Sequence, residues 1–587
     1  MLEVINKMIK DRLEKMRLLM KREKIDLYYI PTGDFHQSEY VGEYFKEREY
    51  MSGFTGSAGT LLVTMREALL WTDGRYFIQA EKQLEGSNIL LMKMGCEGVP
   101  GISEYLEREM EENAVIGFDA RTVTSDFVMK LNRFTLSCNE DLIDLLYEKR
   151  PELPKAKVFE LGLEYAGESR EDKLMRLREA VKEHADKIVV TALDEIAWLL
   201  NLRGNDISCT PVFLAYMIID MDSACLYVDK SKLNKDIQSK LEAAGLILND
   251  YFKIYDDLEK IEGKKVWVDE KTANYRIVTL LEKCEVVNKV SPISHFKAIK
   301  NETEIANEKI AHIKDGVAVT KFMHWIKQNA GKEYITELSA AEKLEQFRRE
   351  QTNYLGPSFE PIMAYGAHGA IVHYQADEES NEKIENKGFL LSDTGGHYLE
   401  GTTDVTRTYP LSELTQEQKK HYTLVLKGHL RLANAKFLYG YTGQNLDYIA
   451  REPLFREGLN YNHGTGHGVG YLLSVHEGPN SIRIKSDAVL EEGMIMSDEP
   501  GLYIENEYGI RHENLIICKK SEKNEYGQFM EFEYLTMVPF DIDAVDFDYL
   551  TDEEIEMLKQ YQDLVYKNLE KYFDGEEKEW LLNKCKV

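Results

Sequence analysis

Two pairs of carboxylates are spaced so that each pair would face across neighbouring strands. Asp393 ends a strand-like apolar run that begins at Phe389, and Asp404 lies in the threonine-rich run that follows a Gly-Gly turn. Such runs pair as β-hairpins, so we expect the two aspartates on facing strands. The plan recurs later, because Glu499 ends a second apolar run before a Pro-Gly turn and Glu513 begins the returning strand.

Four acids gathered in a protein interior would repel one another and take up protons unless a cation lay between them. His467 stands between the two hairpins in the loop HGTGHGVG, whose glycines allow close backbone approach and leave the imidazole free to bind a ligand. Four carboxylates and one histidine exceed what one tetrahedral zinc takes, and suit two cations roughly 3.5 to 4 Å apart. The oxygen-rich set favours a harder ion such as Mn²⁺.

The motifs around these residues resemble one known family. SDTGG, GTTDVTRT, HGTGHGVG, VHEGP, DEPGLY and RHENL are similar to the metal-site motifs of the aminopeptidase P family, the X-prolyl aminopeptidases of the pita-bread metallopeptidase group M24. Segments before them resemble the long, three-domain form of that enzyme: HQSEY (36–40), SGFTGSAGT (52–60), WTDGRYF (71–77), ALDEIAWLLNLRG (192–204) and AHIKDGVAV (311–319). The resemblance implies an α/β (α+β) fold, with two creatinase-like N-terminal domains followed by a pita-bread catalytic domain and a C-terminal extension.

The resemblance also implies a chemistry, the release of the N-terminal residue from peptides with proline in second position. A hydroxide bridging two divalent metal ions, which we expect to be Mn²⁺, would attack the Xaa-Pro amide. Glu499 would shuttle the proton to the leaving amine, and His476 would stabilise the oxyanion. The metal ligands on this hypothesis are Asp393, Asp404, His467, Glu499 and Glu513.

Further residues match the substrate-binding positions of the family. Near the scissile bond these are His373, His463, His476, Arg511 and Tyr503. Taken singly, a histidine beside glycines is more often bonded to backbone, an arginine more often forms a surface ion pair, and a tyrosine more often lies in a core. Two first-domain residues, Glu39 in HQSEY and Arg75 in WTDGRYF, match residues that reach toward the substrate, and the Glu39 carboxylate would suit the peptide α-amino group.

The composition limits which partners and which cellular compartment we expect. With 73 basic and 102 acidic residues, the formal net charge of −29 would repel nucleic acid and anionic membranes, so we expect neither as a partner. The first residues form a charged amphipathic helix without the apolar core of a signal peptide. Seven cysteines fall in no metal-ligand spacing and indicate reduced thiols, so we expect a cytoplasmic protein.

The chain is long enough for three or four cores. We predict domains at residues 1–155, 156–295 and 296–587, with the C-terminal extension covering about 525–587. The second domain repeats the strand pattern of the first, which indicates a weak internal duplication. Capping boxes predict helix starts at Asn301, Thr415 and Thr551, and Thr336 opens another helix.

The extension carries a helical apolar stripe from Ile555 to Leu569, which either packs on its own chain or, as in long members of the family, contributes to a homodimer. Two alternatives to the aminopeptidase remain. A prolidase-type dipeptidase would cleave only dipeptides and would lack the second N-terminal domain. A non-catalytic pita-bread binding module would typically have lost the acidic ligands.

Overall fold

A computed structural model describes residues 2–587 of the chain. It contains two compact units. The N-terminal unit consists of the chain up to Glu160 together with Glu168–Ile293, and the C-terminal unit of Leu161–Gly167 together with Ser294–Val587. Among residues 2–587, no helix combines the length and the apolar character needed to cross a bilayer.

The N-terminal unit begins with an amphipathic helix whose Ile9, Leu13, Met16 and Met20 are buried. The helices of its first part are α1 (Leu2–Glu23), α2 (Glu47–Ser52), α3 (Phe77–Leu84), α4 (Ile102–Glu109) and α5 (Ser125–Val128). Its strands are β1 (Leu27–Pro31), β2 (Thr60–Thr64), β3 (Ala68–Thr72), β4 (Ile89–Lys93), β5 (Val115–Gly117) and β6 (Thr135–Ser137). They form one mixed sheet in the order β4-β3-β2-β1-β5-β6.

A second mixed sheet follows in the same unit. The strands in this part of the chain are β7 (Phe159–Glu160), β8 (Lys187–Val190), β9 (Leu202–Arg203), β10 (Ala215–Asp220), β11 (Ala224–Val228), β12 (Leu246–Asn249), β13 (Lys265–Val268) and β14 (Glu285–Asn288). The helices are α6 (Leu163–Ala166, in the C-terminal unit), α7 (Arg170–Val181), α8 (Leu193–Leu200), α9 (Lys235–Ala243), α10 (Lys253–Glu259), α11 (Tyr275–Thr279) and α12 (Pro292–Ala298). The sheet order is β12-β11-β10-β8-β13-β14.

The two sheets have the same topology. In the first sheet β1 pairs antiparallel with β2 and parallel with β5, and in the second β8 pairs antiparallel with β10 and parallel with β13. Each sheet ends in a parallel strand on both edges. The repeated topology confirms the duplication that the sequence indicated. The domain limits at 155 and 295 stay a prediction.

The C-terminal unit contains the predicted metal-site motifs. Its strands are β15 (Tyr354–Pro357), β16 (Ile362–Tyr365), β17 (Phe389–Thr394), β18 (Gly396–Tyr398), β19 (Gly401–Thr402), β20 (Val405–Pro410), β21 (Phe437–Leu438), β22 (Gly466–His467), β23 (Ser481–Ile482), β24 (Ile495–Asp498), β25 (Gly501–Ile504), β26 (Tyr508–Arg511), β27 (Asn514–Asn524) and β28 (Gly527–Tyr534). Its larger helices are α13 (Glu302–Asn329), α14 (Glu337–Arg349), α15 (Gln416–Ala433), α16 (Gly443–Phe455), α17 (Asp552–Leu569) and α18 (Gly575–Cys585).

Four of these helices begin where the sequence predicted. Capping boxes at Asn301, Thr415 and Thr551 satisfy the free N–H groups at the starts of α13, α15 and α17. Thr336 caps α14 in the same way, with Ser339 as its reciprocal partner. These four predictions are confirmed. They could be made from the sequence because a capping box involves residues only three positions apart.

The strand pairs that carry the acids are present, but the turns between them differ from the prediction. β17 pairs antiparallel with β20, which places Asp393 opposite Thr406. The predicted Gly395-Gly396 turn is wrong, because Gly396 begins β18, which pairs with β15 and β19 in another sheet. In the second pair, β24 and β27 align Asp498 with Asn514, and the hairpin β25-β26 lies between them in the chain.

The C-terminal extension packs on its own unit. Leu558, Tyr561, Val565 and Leu569 of α17 are buried in one core with Tyr422 and Val425 of α15. The buried guanidinium of Arg407 on β20 joins this extension to the strands of the metal-site motifs. It donates hydrogen bonds to the backbone carbonyls of Thr406, Glu513, Val538 and Pro539, to Asn514 Oδ1 and to the Tyr561 hydroxyl. The homodimer stays a prediction.

Candidate metal centre and active site

Three of the five predicted ligands form a compact cluster, which we call the central trio: Asp404, His467 and Glu513. Each offers a ligand atom, and these atoms all lie within 4.8 Å of one another. Asp404 stands just before β20, His467 ends β22 and Glu513 stands just before β27. Three separate pairs of strands therefore deliver their side chains to one point.

The other two predicted ligands adjoin this trio. Glu499 follows β24, and its Oε1 lies 3.4 Å from His467 Nε2, which is itself 3.5 Å from Asp404 Oδ2. Asp393 is buried on β17, and Arg511 donates a hydrogen bond to its Oδ2. The charges of Asp393 and Asp404 act on each other. All five side chains are thus in one neighbourhood.

The electrostatics show how crowded these acids are. Burial raises the pKa of Glu499 to about 7, with Asp404 and Asp393 adding to the shift while His467 and Arg511 oppose it. Burial and the charges of Asp404, Glu499 and Asp393 raise the pKa of Glu513 well above its usual range. For His467 burial opposes the charged form, but Asp404 and Glu499 outweigh it and raise its pKa to about 9. The cluster therefore favours bound positive charge.

The glycine-rich loop orients the His467 ring. Its Nδ1 lies 3.0 Å from the Gly468 carbonyl, so an Nδ1–H donor there leaves Nε2 as the ligand atom facing Asp404 and Glu499. The loop glycines are required by close packing, since a Cβ on Gly466 would lie 1.9 Å from the Ser497 carbonyl oxygen. The Ser497 hydroxyl accepts a hydrogen bond from the His467 backbone N–H.

A hydrogen-bonded chain leads from Asp393 to His463. Arg511 donates to Asp393 through Nη2 and to the Tyr503 hydroxyl through Nη1, at 2.7 Å. The Tyr503 hydroxyl lies 2.8 Å from His463 Nε2. Arg511 is buried, so its pairing with Asp393 is not a surface ion pair. The hydrogen bonds bring three predicted substrate-binding residues, Arg511, Tyr503 and His463, together beside the predicted ligand Asp393.

The remaining predicted histidines lie on two loops. The ring of His476 lies 4.4 Å from that of His467, edge to face. His373 is partly exposed in the loop that follows β16. Buried Glu337 fixes this loop by accepting hydrogen bonds from the Tyr365 and Glu382 N–H groups and the Tyr374 hydroxyl, and by facing His368 Nδ1 at 2.8 Å. His368 thus supports the loop.

Glu39 and Arg75 lie in the N-terminal unit. The side chain of Arg75 makes two 2.8 Å hydrogen bonds to Asp73, and Glu39 is an exposed residue whose charge also acts on Arg75. His36 of the same motif is buried, with Nδ1 2.8 Å from the Thr191 carbonyl and Nε2 2.6 Å from the Tyr251 hydroxyl. Their predicted role toward a substrate stays a prediction.

Several residues that support the cluster were not identified from the sequence. The Thr406 hydroxyl donates to Glu513 at 2.7 Å, and the Ser497 hydroxyl donates to Glu499 at 3.2 Å. Thr406 could have been found, because it stands two residues after Asp404 in a strand-like run and two-residue spacing keeps side chains on one face. His397 Nδ1 faces Thr402 Oγ1, and His512 packs against Tyr422 and Phe540.

The residues fit a pair of divalent cations. Asp393 Oδ1 and Asp404 Oδ1 are buried without a hydrogen-bond partner among the described residues. Four carboxylates face a single arginine and one imidazole, and hard divalent cations prefer such oxygen-rich donor sets. Metal binding would therefore satisfy both the unpartnered oxygens and the excess negative charge.

Family models match almost the whole chain. Residues 306–520 match metallopeptidase family M24, and residues 528–587 match the C-terminal region of peptidase M24. Residues 12–147 and 149–304 each match a creatinase/prolidase N-terminal domain. These two matches confirm the two creatinase-like N-terminal domains that the resemblance implied.

Curated relatives are similar over the full length. Xaa-Pro aminopeptidase 1 of Dictyostelium discoideum is 40% identical over 610 residues, covering 98% of this chain and 96% of its own. A probable Xaa-Pro aminopeptidase P of Neurospora crassa is also 40% identical, covering 97% and 88%.

Solved structures show the same fold. The X-prolyl aminopeptidase of Caenorhabditis elegans, described as a cytosolic enzyme with a di-nuclear active site, has a TM-score of 0.94 and 34% identity, covering 98% of this chain and 99% of its own. The prolidase of Pyrococcus horikoshii has a TM-score of 0.50 and 26% identity, and covers 63% of this chain. The prolidase therefore matches a smaller part of the architecture.

Proposed function

The chain belongs to the Xaa-Pro aminopeptidases of metallopeptidase family M24, and we propose that it hydrolyses the first peptide bond of peptides whose second residue is proline, using two divalent cations. The observation that carries the proposal is the buried cluster of Asp404, His467 and Glu513, with Glu499 adjoining it. We propose Mn²⁺ as the ion, because oxygen ligands predominate. The cytosol is the proposed compartment, as for the C. elegans enzyme.

The proposed ligands are Asp393, Asp404, His467, Glu499 and Glu513. Two cations held there would lower the pKa of a bound water molecule and polarise the substrate carbonyl. Arg511 supports this arrangement by fixing Asp393, and Thr406 and Ser497 fix the two glutamates through hydroxyl donors. The ligands are therefore held in place before substrate binds, which reduces the reorganisation that the reaction requires.

Proton transfer is assigned to Glu499. Its carboxylate takes a proton from the attacking water and returns it to the prolyl nitrogen as the C–N bond breaks. This transfer matters more for proline than for other residues, because the nitrogen of an Xaa-Pro amide carries no proton of its own.

The histidines are assigned to the substrate. His476, edge to face with His467, donates a hydrogen bond to the developing oxyanion. His373 contacts the substrate near the scissile bond, and His463 with Tyr503 forms part of the wall that receives the proline ring. The role of Glu39 and Arg75 toward the peptide α-amino group stays a prediction from the family resemblance; within the N-terminal unit the charge of Glu39 acts on Arg75.

The test compares a tripeptide with a dipeptide. Metal-stripped protein is given Mn²⁺, Co²⁺ or Zn²⁺ separately and is assayed on Arg-Pro-Pro and on Ala-Pro. We expect Mn²⁺ to restore release of arginine from Arg-Pro-Pro. Hydrolysis of Ala-Pro alone would show a prolidase-type dipeptidase, and absence of both turnover and bound metal would show a binding module.

A further inference from the structure

The residue that follows His476 in the chain forms a buried ion pair. Glu477, the next residue, is 4% exposed, and its Oε2 lies 3.0 Å from Lys297 Nζ on α12, while its Oε1 lies 3.6 Å from Lys300 Nζ. Both lysines are also buried, at 3% and 4%. Three charged groups are thus kept out of water at a point that the proposed mechanism does not use.

The backbone around Glu477 ties the two histidine loops together. The Glu477 N–H donates to the Gly468 carbonyl at 2.8 Å, and the Gly468 N–H donates to the Asn480 carbonyl at 2.9 Å. The contact leaves no room for side chains, because a Cβ on Gly468 would lie 2.1 Å from the Glu477 carbonyl oxygen. A Cβ on Gly470 would lie 2.2 Å from Glu477 Oε2. The loop of His467 therefore packs directly against Glu477.

Lys300 is itself fixed next to the strand pair β24-β27, which leads to Glu499 and Glu513. The Lys300 N–H donates to the Gly493 carbonyl at 3.0 Å, and Gly493 stands two residues before β24, which leads to Glu499. Asn480, at the far end of the His476 loop, donates through Nδ2 to the Ile495 carbonyl of β24. The His476 loop is therefore held at two points. Lys297 and Lys300 pair with the Glu477 carboxylate, and Asn480 is bonded to β24.

From these contacts we propose that Glu477 is a positioning residue: its ion pair with Lys297 holds the His476 imidazole at the angle it needs beside His467. The proposal rests on the assignment of His476 to the oxyanion. A buried carboxylate serves this purpose better than an apolar side chain, because its movement away would leave a buried cation unpaired.

The test uses Glu477→Gln, which keeps the size of the side chain and removes its charge. Removal of an outer-shell partner typically costs about 10 to 100-fold in activity, so we expect kcat on Arg-Pro-Pro to fall by about that factor. KM and bound Mn²⁺ should stay within about twofold of the wild type by the same reasoning, since the ligands themselves are unchanged. A wild-type kcat in the folded variant would overturn the proposal.

A double variant tests whether Glu477 acts through His476. In His476→Ala the imidazole is absent, so adding Glu477→Gln should lower kcat no further. If the two losses multiply instead, Glu477 acts on something else and the proposal is wrong.

Should Glu477→Gln be unstable, Lys297→Met/Glu477→Gln removes both charges and is assayed in its place, with the same expectation.

The matched control is Lys232→Met. Lys232 and Asp206 form an ion pair of the same chemistry and similar burial in the N-terminal unit. We expect Lys232→Met to lower the unfolding temperature without changing kcat. The single variant Lys297→Met should lower kcat as Glu477→Gln does, because it removes the other charge of the pair. Lys297→Arg should recover most of that activity, since a guanidinium can still pair with the carboxylate. If Lys232→Met lowers kcat as much as Lys297→Met does, the loss reflects stability alone and the proposal is wrong.

A readout without substrate separates this proposal from the proposed function. In protein labelled with ¹³C at histidine Cε1, the His476 resonance is identified by its loss in His476→Ala. We expect it to shift or broaden in Glu477→Gln and to stay in place in Lys232→Met. An unchanged resonance would contradict the positioning role, whereas a wild type that does not cleave Arg-Pro-Pro would contradict the proposed peptidase.

Discussion

Among the residues that the structure describes, two groups of side chains are close enough to hold a metal ion by distance alone. One is the central trio of the C-terminal unit. The other, which we call the N-terminal trio, consists of Glu47, Asp119 and Asp141, whose carboxylate atoms also lie within 4.8 Å of one another. Distance therefore does not separate a catalytic centre from a structural cluster.

The two trios differ in their counter-charges. In the N-terminal trio, Arg150 forms ion pairs with Glu47 and Asp141, and Arg121 makes bidentate hydrogen bonds to Asp119. Around the central trio a single arginine, Arg511, faces the acids, and it bonds Asp393 outside the trio. Acidic clusters whose charges are already paired need no cation, whereas Asp404 of the central trio and the adjoining Asp393 each have a buried oxygen without a hydrogen-bond partner among the described residues.

The comparison is tested most strongly by removing one acid from each trio. Asp404→Ala should abolish both Mn²⁺ binding and cleavage of Arg-Pro-Pro, because it removes a proposed ligand. Asp141→Asn should leave both intact. Metal content and kcat/KM of the two purified variants give the answer. Full activity in Asp404→Ala, or loss of metal in Asp141→Asn, would reverse the assignment.

A smaller effect is expected from removing the arginine of the N-terminal trio. Arg150→Met leaves two buried carboxylates without their partner, and breaking a buried ion pair typically costs about 3 to 5 kcal/mol. Urea unfolding followed in the N-terminal unit measures the loss. If Mn²⁺ restores the stability of this variant, the N-terminal trio is able to act as a metal site and the distinction fails.

Two histidines extend the comparison to pH. Buried His36 faces neutral groups, the Thr191 carbonyl and the Tyr251 hydroxyl, and burial lowers its pKa to about 4, whereas that of His467 beside carboxylates is raised to about 9. The unfolded chain takes up a proton at His36 near pH 6.5 and the folded chain only near 4. Stability is therefore lost as pH falls through this window, by about 3 kcal/mol.

This pH effect is measured from the unfolding free energy between pH 7 and pH 4 in wild type and in His36→Gln. The variant lacks the titrating group, so its stability should depend less steeply on pH. Equal slopes in the two proteins would show that His36 does not carry the acid sensitivity of the N-terminal unit.

The smallest expected effect is the stabilisation of the C-terminal unit by metal. A cation that binds only the folded state stabilises it by about 2.7 kcal/mol at 100 times its dissociation constant. Adding Mn²⁺ to metal-free protein should therefore raise the unfolding temperature of the wild type and leave that of Asp404→Ala unchanged. Equal stabilisation of both proteins would mean that Mn²⁺ binds elsewhere.

The sequence predicted the parts of the site that local patterns encode. Capping boxes located four helix starts, and strand-like runs placed the acids at strand ends. The Gly395-Gly396 region was misassigned as a turn because its partner, β15, lies some forty residues earlier, where no local signal reveals the pairing. The roles of Glu337 and Glu477 were missed for the same reason, since their partners come from distant segments.

Arg407 connects the C-terminal extension to a proposed metal ligand. Its guanidinium joins the backbone of Glu513 to Val538, Pro539 and the Tyr561 hydroxyl of α17. A chain cut short before this helix would lose the Tyr561 hydroxyl, which accepts a hydrogen bond from the guanidinium that also binds the Glu513 carbonyl. The last helices are therefore no removable appendage, and any tag, fusion or deletion at this terminus should be judged by its effect on turnover as well as on yield.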